Sequence, residues 1–428
     1  MKLTGHKSIL SGSVQIPASK SHTIRAITVA SVAKGISTIR NPLISEDAKS
    51  AVTAFRAMGA DINTSDQTAF KITGTNGIIS APENIVDIGN SGTTLRIATG
   101  MAALCRDDAF IRLTGDNQIK SRPVLPLLNS LNDLGATANS LNGNGCAPIS
   151  VKGSLAGGKT VIECVTSQYL TSLLFAAPLA QGDSEIEVSL LNEPDYVQMT
   201  LDWLDRQQIR YENRNMRSFK IPGRQSYSSF DLPVPADFSS ATFFMCAGTL
   251  IEGGITITGL DFNDSQPDKA VADYLKEMGA DITVTADSVH INKSVLHGID
   301  IDMNRTPDAL PAMAVTAAFA KGTTRLLNVA QARKKETDRI KCMAKELTAL
   351  GVKTKELEDG LIIHHCSKLQ NAVLKGYDDH RIVMALSIAL MAADLKESTI
   401  DTAEAMNITF PNYVHLMNSI GGKLEILK

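Results

Sequence analysis

One phrase recurs along the chain: an apolar helix end, a glycine, then a short alternating strand. Phe55-Arg56-Ala57-Met58-Gly59-Ala60-Asp61-Ile62 is nearly repeated by Tyr274-Leu275-Lys276-Glu277-Met278-Gly279-Ala280-Asp281-Ile282. Leu134-Gly135-Ala136, Leu350-Gly351-Val352 and Ile420-Gly421-Gly422 follow the same pattern, and Trp203–Ile209 is a degenerate copy with Gln208 in the glycine place. The six positions recur every 70 to 76 residues, which marks an internal repeat. Glycine after the last helical turn takes the left-handed conformation that ends a helix. The alternation that follows, as in Asp281-Ile282-Thr283-Val284, predicts a strand.

Each unit also holds a second, apolar stretch: 94–103, 170–177, 240–248, 309–320 and 381–392. These are apolar nearly all round and so predict buried helices. Six β/α units with buried helices predict an α/β protein of two lobes, three units in each. The proline-rich stretch Ser228–Asp237 predicts one extended crossing between lobes, and Val14–Pro17 predicts the other. The expected lobes are 1–15 plus 235–428, and 16–234.

The 428 residues carry a net charge of −3, so no global basic field points to nucleic acid and any anion site must be local. Six scattered cysteines without a CxxC pair fit reduced thiols of a cytoplasmic protein. Met1–Lys7 has no apolar signal core, and no apolar run reaches membrane-span length. One Trp and seven Tyr give no base-stacking surface.

Candidate chemistry gathers where polar turns open the apolar helices. Pro17-Ala18-Ser19-Lys20-Ser21-His22-Thr23-Ile24-Arg25 follows a strand, and its small residues expose backbone N–H groups to an anion. The same residues serve equally as a plain N-cap, by Ser19 or Ser21. Gly89-Asn90-Ser91-Gly92-Thr93-Thr94-Leu95-Arg96 is a second such turn, with Thr93 or Thr94 as cap and Gly92 giving a ligand room. Lys120-Ser121-Arg122-Pro123 offers a loop cation, and Thr166-Ser167-Gln168 a neutral phosphate site of two hydroxyls and an amide. Asp308 enters the 309–320 helix as a first-turn acid, or as a base if a cleft reaches it. Tyr377-Asp378-Asp379-His380-Arg381 repeats the polar opening.

Arg333-Lys334-Lys335-Glu336-Thr337-Asp338-Arg339 is the most charged stretch. If it starts a helix, Lys335 and Arg339 share a face with Glu336 beside them. That arrangement suits an anionic substrate that exchanges a proton, while a solvated face is the plainer reading. His364-His365 beside Cys366 would point opposite ways on a strand, so no metal is expected. Converging helix N-termini, with Lys20, Arg25, Arg122, Lys335, Arg339 and Arg381, point to two anionic substrates.

In order and spacing, over essentially the whole chain, these motifs resemble the 5-enolpyruvylshikimate-3-phosphate synthase family of enolpyruvyl transferases. The resemblance implies an inside-out α/β barrel of two lobes, each of three βαβαββ-type repeats, closing on substrates. It implies transfer of the enolpyruvyl group of phosphoenolpyruvate to the 5-hydroxyl of shikimate 3-phosphate, with release of phosphate and no metal or other cofactor. Lys20, Asn90, Gly92, Arg122, Gln168, Arg339 and Arg381 would hold phosphoenolpyruvate. Lys20, Ser21, Arg25, Thr166, Ser167, Gln168, Asp308, Gln331 and Lys335 would hold shikimate 3-phosphate. Asp308 would take the 5-hydroxyl proton, and Glu336 with Lys20 would exchange protons with the methylene carbon. A cytoplasmic monomer without nucleic-acid or membrane partners is expected.

The chain departs from the family pattern at several places. Ala18 stands where glycine is usual, and Gln118 and Gln331 replace an Arg and an Asn. Ile408 stands where many bacterial members carry a phosphate-binding Lys. Glu193 lies where many members put a Ser near the substrate phosphate, which its carboxylate would repel unless turned away. The sister enzyme acting on UDP-N-acetylglucosamine is the nearest rival. It has Lys-Asn in place of Lys20-Ser21 and a reactive Cys in the loop before Arg122, whereas Thr114–Pro123 has no Cys. A non-catalytic binder of phosphorylated metabolites is the other rival, kept open by Glu193 and Ile408.

Overall fold

The computed structural model describes residues 1–427. The chain forms two compact units, one made of Met1–Pro17 and the remainder from Pro235, the other of Ala18–Val234. Each unit has its own apolar core and three four-stranded sheets.

All six sheets follow one plan: an edge strand parallel to its neighbour, then two antiparallel strands. In four sheets a buried helix joins the parallel pair. The Gly92–Ala102 helix joins Val86–Asp87 to Ile111–Thr114, and Ser167–Ala176 joins Gly158–Cys164 to Ser184–Leu191. Leu310–Phe319 and His380–Ala392 do the same for Asp300–Asp302 with Thr323–Leu327 and for Val373–Leu374 with Thr399–Ile400. The other two sheets take their edge strand from distant sequence. Ile9–Gln15 runs parallel to Glu252–Thr258, and Asp231–Pro233 runs parallel to Ile36–Arg40. Pro233 is tolerated there because an edge strand leaves one side free of ladder bonds.

The repeating phrase has a physical cause. Gly59, Gly135, Gly279, Gly351 and Gly421 all have φ between 88° and 106°. Gln208 takes the same left-handed place at φ 54°, at a steric penalty of about 1–2 kcal/mol that glycine avoids. The helices ending there are amphipathic: in Glu46–Ala57, Ala51, Val52 and Phe55 are buried while Lys49 is exposed. The other helices are buried all round, and every residue of Phe238–Leu250 is covered. Leu310–Phe319 packs against Phe238–Leu250 and His380–Ala392 in one unit. Gly92–Ala102 packs against Lys20–Val32 and Ser167–Ala176 in the other. Gly100 has no room for a Cβ, because Ser172 approaches there to donate to the Arg96 carbonyl at 2.6 Å.

A fully buried helix still leaves its first N–H groups without intrahelical partners. That need explains the polar turns. Ser19, Ser91, Thr166, Asp237 and Asp379 each accept from a backbone N–H as N-caps, worth about 1 kcal/mol apiece. Three expected details differ. The cap of the second turn is Ser91 rather than Thr93 or Thr94. The helix expected from residue 240 begins at Phe238, inside its Asp237 cap. Asp308 lies in a 3-10 turn, Pro307–Ala309, ahead of the helix rather than in it.

Candidate active site

In the Ala18–Val234 unit the motif residues cluster at the openings of three buried helices. Lys20 is the first residue of its helix and pairs with Asp47 at 3.2 Å. Asp47 was not legible as a partner, because in sequence it reads as a first-turn acid of the Ser45-capped helix. Arg25 is 3% exposed, and its guanidinium is braced inside the protein. It donates to Thr200 Oγ1 at 3.1 Å, to the Tyr196 carbonyl at 2.9 Å and to the carbonyl of half-buried Ser21 at 3.1 Å.

A second cluster joins Asn90, Gly92, Arg122 and Gln168. Asn90 donates to Gln118 Oε1 at 2.6 Å and accepts from Arg122 at 3.3 Å. Gln168 donates to Thr93 Oγ1 at 3.1 Å and accepts from Arg96 at 3.3 Å. Arg96 also donates to the Pro123 carbonyl at 3.1 Å. No role for Arg96 is legible in the sequence, where it is one more residue of a buried helix. A Cβ on Gly92 would fall inside van der Waals contact of the Arg96 and Arg122 guanidinium groups. Gly92 is therefore needed for how closely two cations approach the helix start.

Thr166 and Ser167 are placed together as expected, but they do not form a neutral hydroxyl pair. Glu193 Oε2 accepts from Ser167 Oγ at 2.7 Å, Ser167 N at 3.1 Å and Thr166 Oγ1 at 3.2 Å. This carboxylate is not turned away from the hydroxyls; it is lodged among them.

In the other unit the charged stretch does not form a helical face. Asp338 caps the helix and Arg339 is its first residue, so Lys335 and Glu336 lie in the preceding loop. The residues are brought together by ion pairing instead. Arg339 is 1% exposed and donates to Asp379 at 2.8 Å, to Asp308 at 2.8 Å and to Glu336. Asp308 also meets Arg381 at 3.1 Å and Lys335 at 3.7 Å. Asp379 accepts from the Arg381 N–H at 2.9 Å, so one carboxylate both caps a helix and pairs with Arg339. Burial works against the Arg339 charge, but Asp379, Glu336 and Asp308 outweigh it and hold the guanidinium more firmly protonated than usual. Gln331 is buried and donates to the Asn304 carbonyl at 3.0 Å. Ile408 ends a 3-10 turn, Ala403–Ile408. His364 Nδ1 lies 3.0 Å from Thr323 Oγ1, and among the described residues no cluster could hold a metal ion.

Beneath this network lies Asp268, a residue sequence reasoning missed. It is buried, and Ser239 Oγ donates to it. Burial first, then the nearby Asp308 charge, push its carboxyl from the usual 3.8 up to about 6, against the pull of Arg381. Between about pH 4 and pH 6 the folded state keeps a proton that the unfolded chain has lost, so this group's stabilising contribution falls as pH rises through that window. Asp268→Asn is expected to remove that loss and to stabilise the protein near pH 7, by on the order of 3 kcal/mol at most. Urea unfolding at pH 4.5 and pH 7 checks it. An unchanged difference between the two pH values would assign the titration to another group.

The chemistry available is then plain. One unit offers a lysine, hydroxyls, an amide and a guanidinium at helix starts. The other offers one carboxylate, Asp308, held by three cations, with a second carboxylate, Glu336, beside it.

The family model for EPSP synthase (3-phosphoshikimate 1-carboxyvinyltransferase) matches residues 5–417. A 3-phosphoshikimate 1-carboxyvinyltransferase of Ruminiclostridium cellulolyticum is 49% identical over 427 residues, covering 100% of both chains. One from Methanococcoides burtonii is 43% identical over 98% of each chain. Among solved structures, the EPSP synthase of Acinetobacter baumannii superposes with a TM-score of 0.84 at 26% identity, covering 100% of both chains. Among the described residues no helix is long and apolar enough to cross a membrane.

Proposed function

The chain belongs to the EPSP synthase family, and we propose on that premise that it transfers the enolpyruvyl group of phosphoenolpyruvate to the 5-hydroxyl of shikimate 3-phosphate, releasing phosphate. The observation that carries the mechanism is Asp308, the one carboxylate among the described residues that meets Lys335, Arg339 and Arg381 together. Asp308 takes the 5-hydroxyl proton as the oxygen attacks C2. Glu336 and Lys20 exchange the proton at the methylene carbon. Arg122, Arg339 and Arg381 stabilise the charge on the leaving phosphate. Ser21, Arg25, Thr166, Ser167, Gln168, Gln331 and Lys335 hold shikimate 3-phosphate, and Asn90 and Gly92 line the phosphoenolpyruvate side. The incoming phosphate and carboxylate groups share the cations that otherwise occupy Asp308, which leaves that carboxylate able to accept a proton. Six free cysteines support a cytoplasmic setting, and a monomer is the oligomeric state expected.

Phosphate release separates this reading from its rivals. Release from phosphoenolpyruvate should require shikimate 3-phosphate. Release driven by UDP-N-acetylglucosamine would favour the sister activity, and binding of both ligands without release would favour a non-catalytic protein. The absence of Cys from Thr114–Pro123 argues against the sister enzyme.

Gly92→Ala tests the phosphoenolpyruvate side. The added methyl displaces both the Arg96 and the Arg122 guanidinium ends. Glyphosate, a longer ligand of that side, should lose about tenfold or more in affinity, and phosphoenolpyruvate less. Inhibition constants against KM measure the difference, and equal losses would contradict the steric account.

A further inference from the structure

Glu193 fills a set of hydrogen-bond donors suited to an anionic oxygen. Two hydroxyls and a helix-terminal N–H converge on one of its carboxylate oxygens, at 2.7, 3.1 and 3.2 Å. Donors set this way around a single anionic oxygen form a phosphate cradle, and here the protein fills it with its own anion. Glu193 is 1% exposed. It precedes the Pro194–Arg206 helix yet makes no side-chain cap bond to that helix. The side chain instead reaches back to the Ser167–Ala176 helix, whose Gln168 N–H is already capped by Thr166. Its backbone is held in the left-handed region, φ 60° and ψ 49°, unusual for glutamate. Capping of its own helix therefore does not account for it.

We propose that Glu193 is an internal competitor that gates the phosphate subsite and sets its selectivity, an inference that rests on the shikimate 3-phosphate reading above. Two anions cannot share the Thr166–Ser167 donors. The carboxylate must leave before the 3-phosphate enters, and the apparent affinity for the phosphorylated substrate is lowered by the fraction of time the cradle is filled. A doubly charged phosphate with three acceptor oxygens displaces a single carboxylate, whereas a neutral hydroxyl does not. Glu193 thereby makes the subsite respond to a dianion and ignore ligands that lack one.

The test is calorimetric titration of the full chain as wild type, Glu193→Gln and Glu193→Asn, with shikimate 3-phosphate, shikimate and orthophosphate. Gln keeps the shape without the charge. Asn tolerates the left-handed backbone and is too short to fill the cradle. The dissociation constant for shikimate 3-phosphate should fall about fivefold or more in Gln and at least as far in Asn, with shikimate unchanged. Orthophosphate binding should tighten in parallel. Unchanged or weaker binding of both phosphate ligands, in variants with wild-type melting curves, would overturn the gate. Tighter orthophosphate binding with no binding of shikimate 3-phosphate by any of the three proteins would keep the gate and overturn the substrate reading. Should Gln fold poorly, Asn decides by the same readouts.

Discussion

Arg339→Met is expected to destabilise the protein by about 3–5 kcal/mol, because it strands buried carboxylates. Methionine nearly matches the length of the buried arginine but carries no charge. Asp379, Glu336 and Asp308 would then lose their common partner, with side chains only 0%, 11% and 16% exposed. Arg381 and Lys335 remain beside Asp308, but among the described residues Asp379 would keep no other side-chain cation of comparable closeness. Denaturant unfolding gives the loss directly. Adding Asp379→Asn should recover part of it, because Asn removes one stranded charge and still caps the His380–Ala392 helix. A single variant with a wild-type midpoint, or a double variant no better than the single, would show that solvent rather than Arg339 neutralises these carboxylates.

Asp308→Asn is expected to lower kcat by about 10²–10⁴-fold while leaving both substrates bound. Asn is the sharper choice over Ala. It keeps the size of the side chain and one acceptor oxygen, enough for Arg339 or Arg381 though not for both at once, so the cations are disturbed less than by Ala while proton acceptance is lost. Asp308→Ala would also release three cations, and its effect on binding would mix with its effect on chemistry. Steady-state rates with titration of each ligand separate the two. Turnover within tenfold of wild type would remove Asp308 from the proton transfer.

The spacing of charges in sequence misjudged how Lys335, Glu336 and Arg339 come together. They meet, but through a loop and a shared set of carboxylates, because Asp338 stops the helix from starting earlier. An i,i+4 rule needs continuous helix, and a single capping side chain sufficed to cancel it. The Glu193 departure was visible as a residue type out of place. Its consequence was not, because whether a carboxylate repels a site or fills it depends on a backbone angle that no local pattern predicted.

What the sequence by itself determined is what local rules govern. Five of the six left-handed helix ends follow from glycine's freedom at φ > 0, the buried helices from their lack of a polar face, and the polar turns from unmet N–H groups at helix starts. What only the tertiary structure decided is which charges meet. Asp47 reaches Lys20, Asp379 reaches Arg339, Arg96 reaches Gln168 and Glu193 reaches Ser167, across separations of 26 to 72 residues. Local propensity carries no information over such distances. Electrostatic pairing is resolved only when packed helices bring their N-termini together and exclude the water that would otherwise solvate each charge alone.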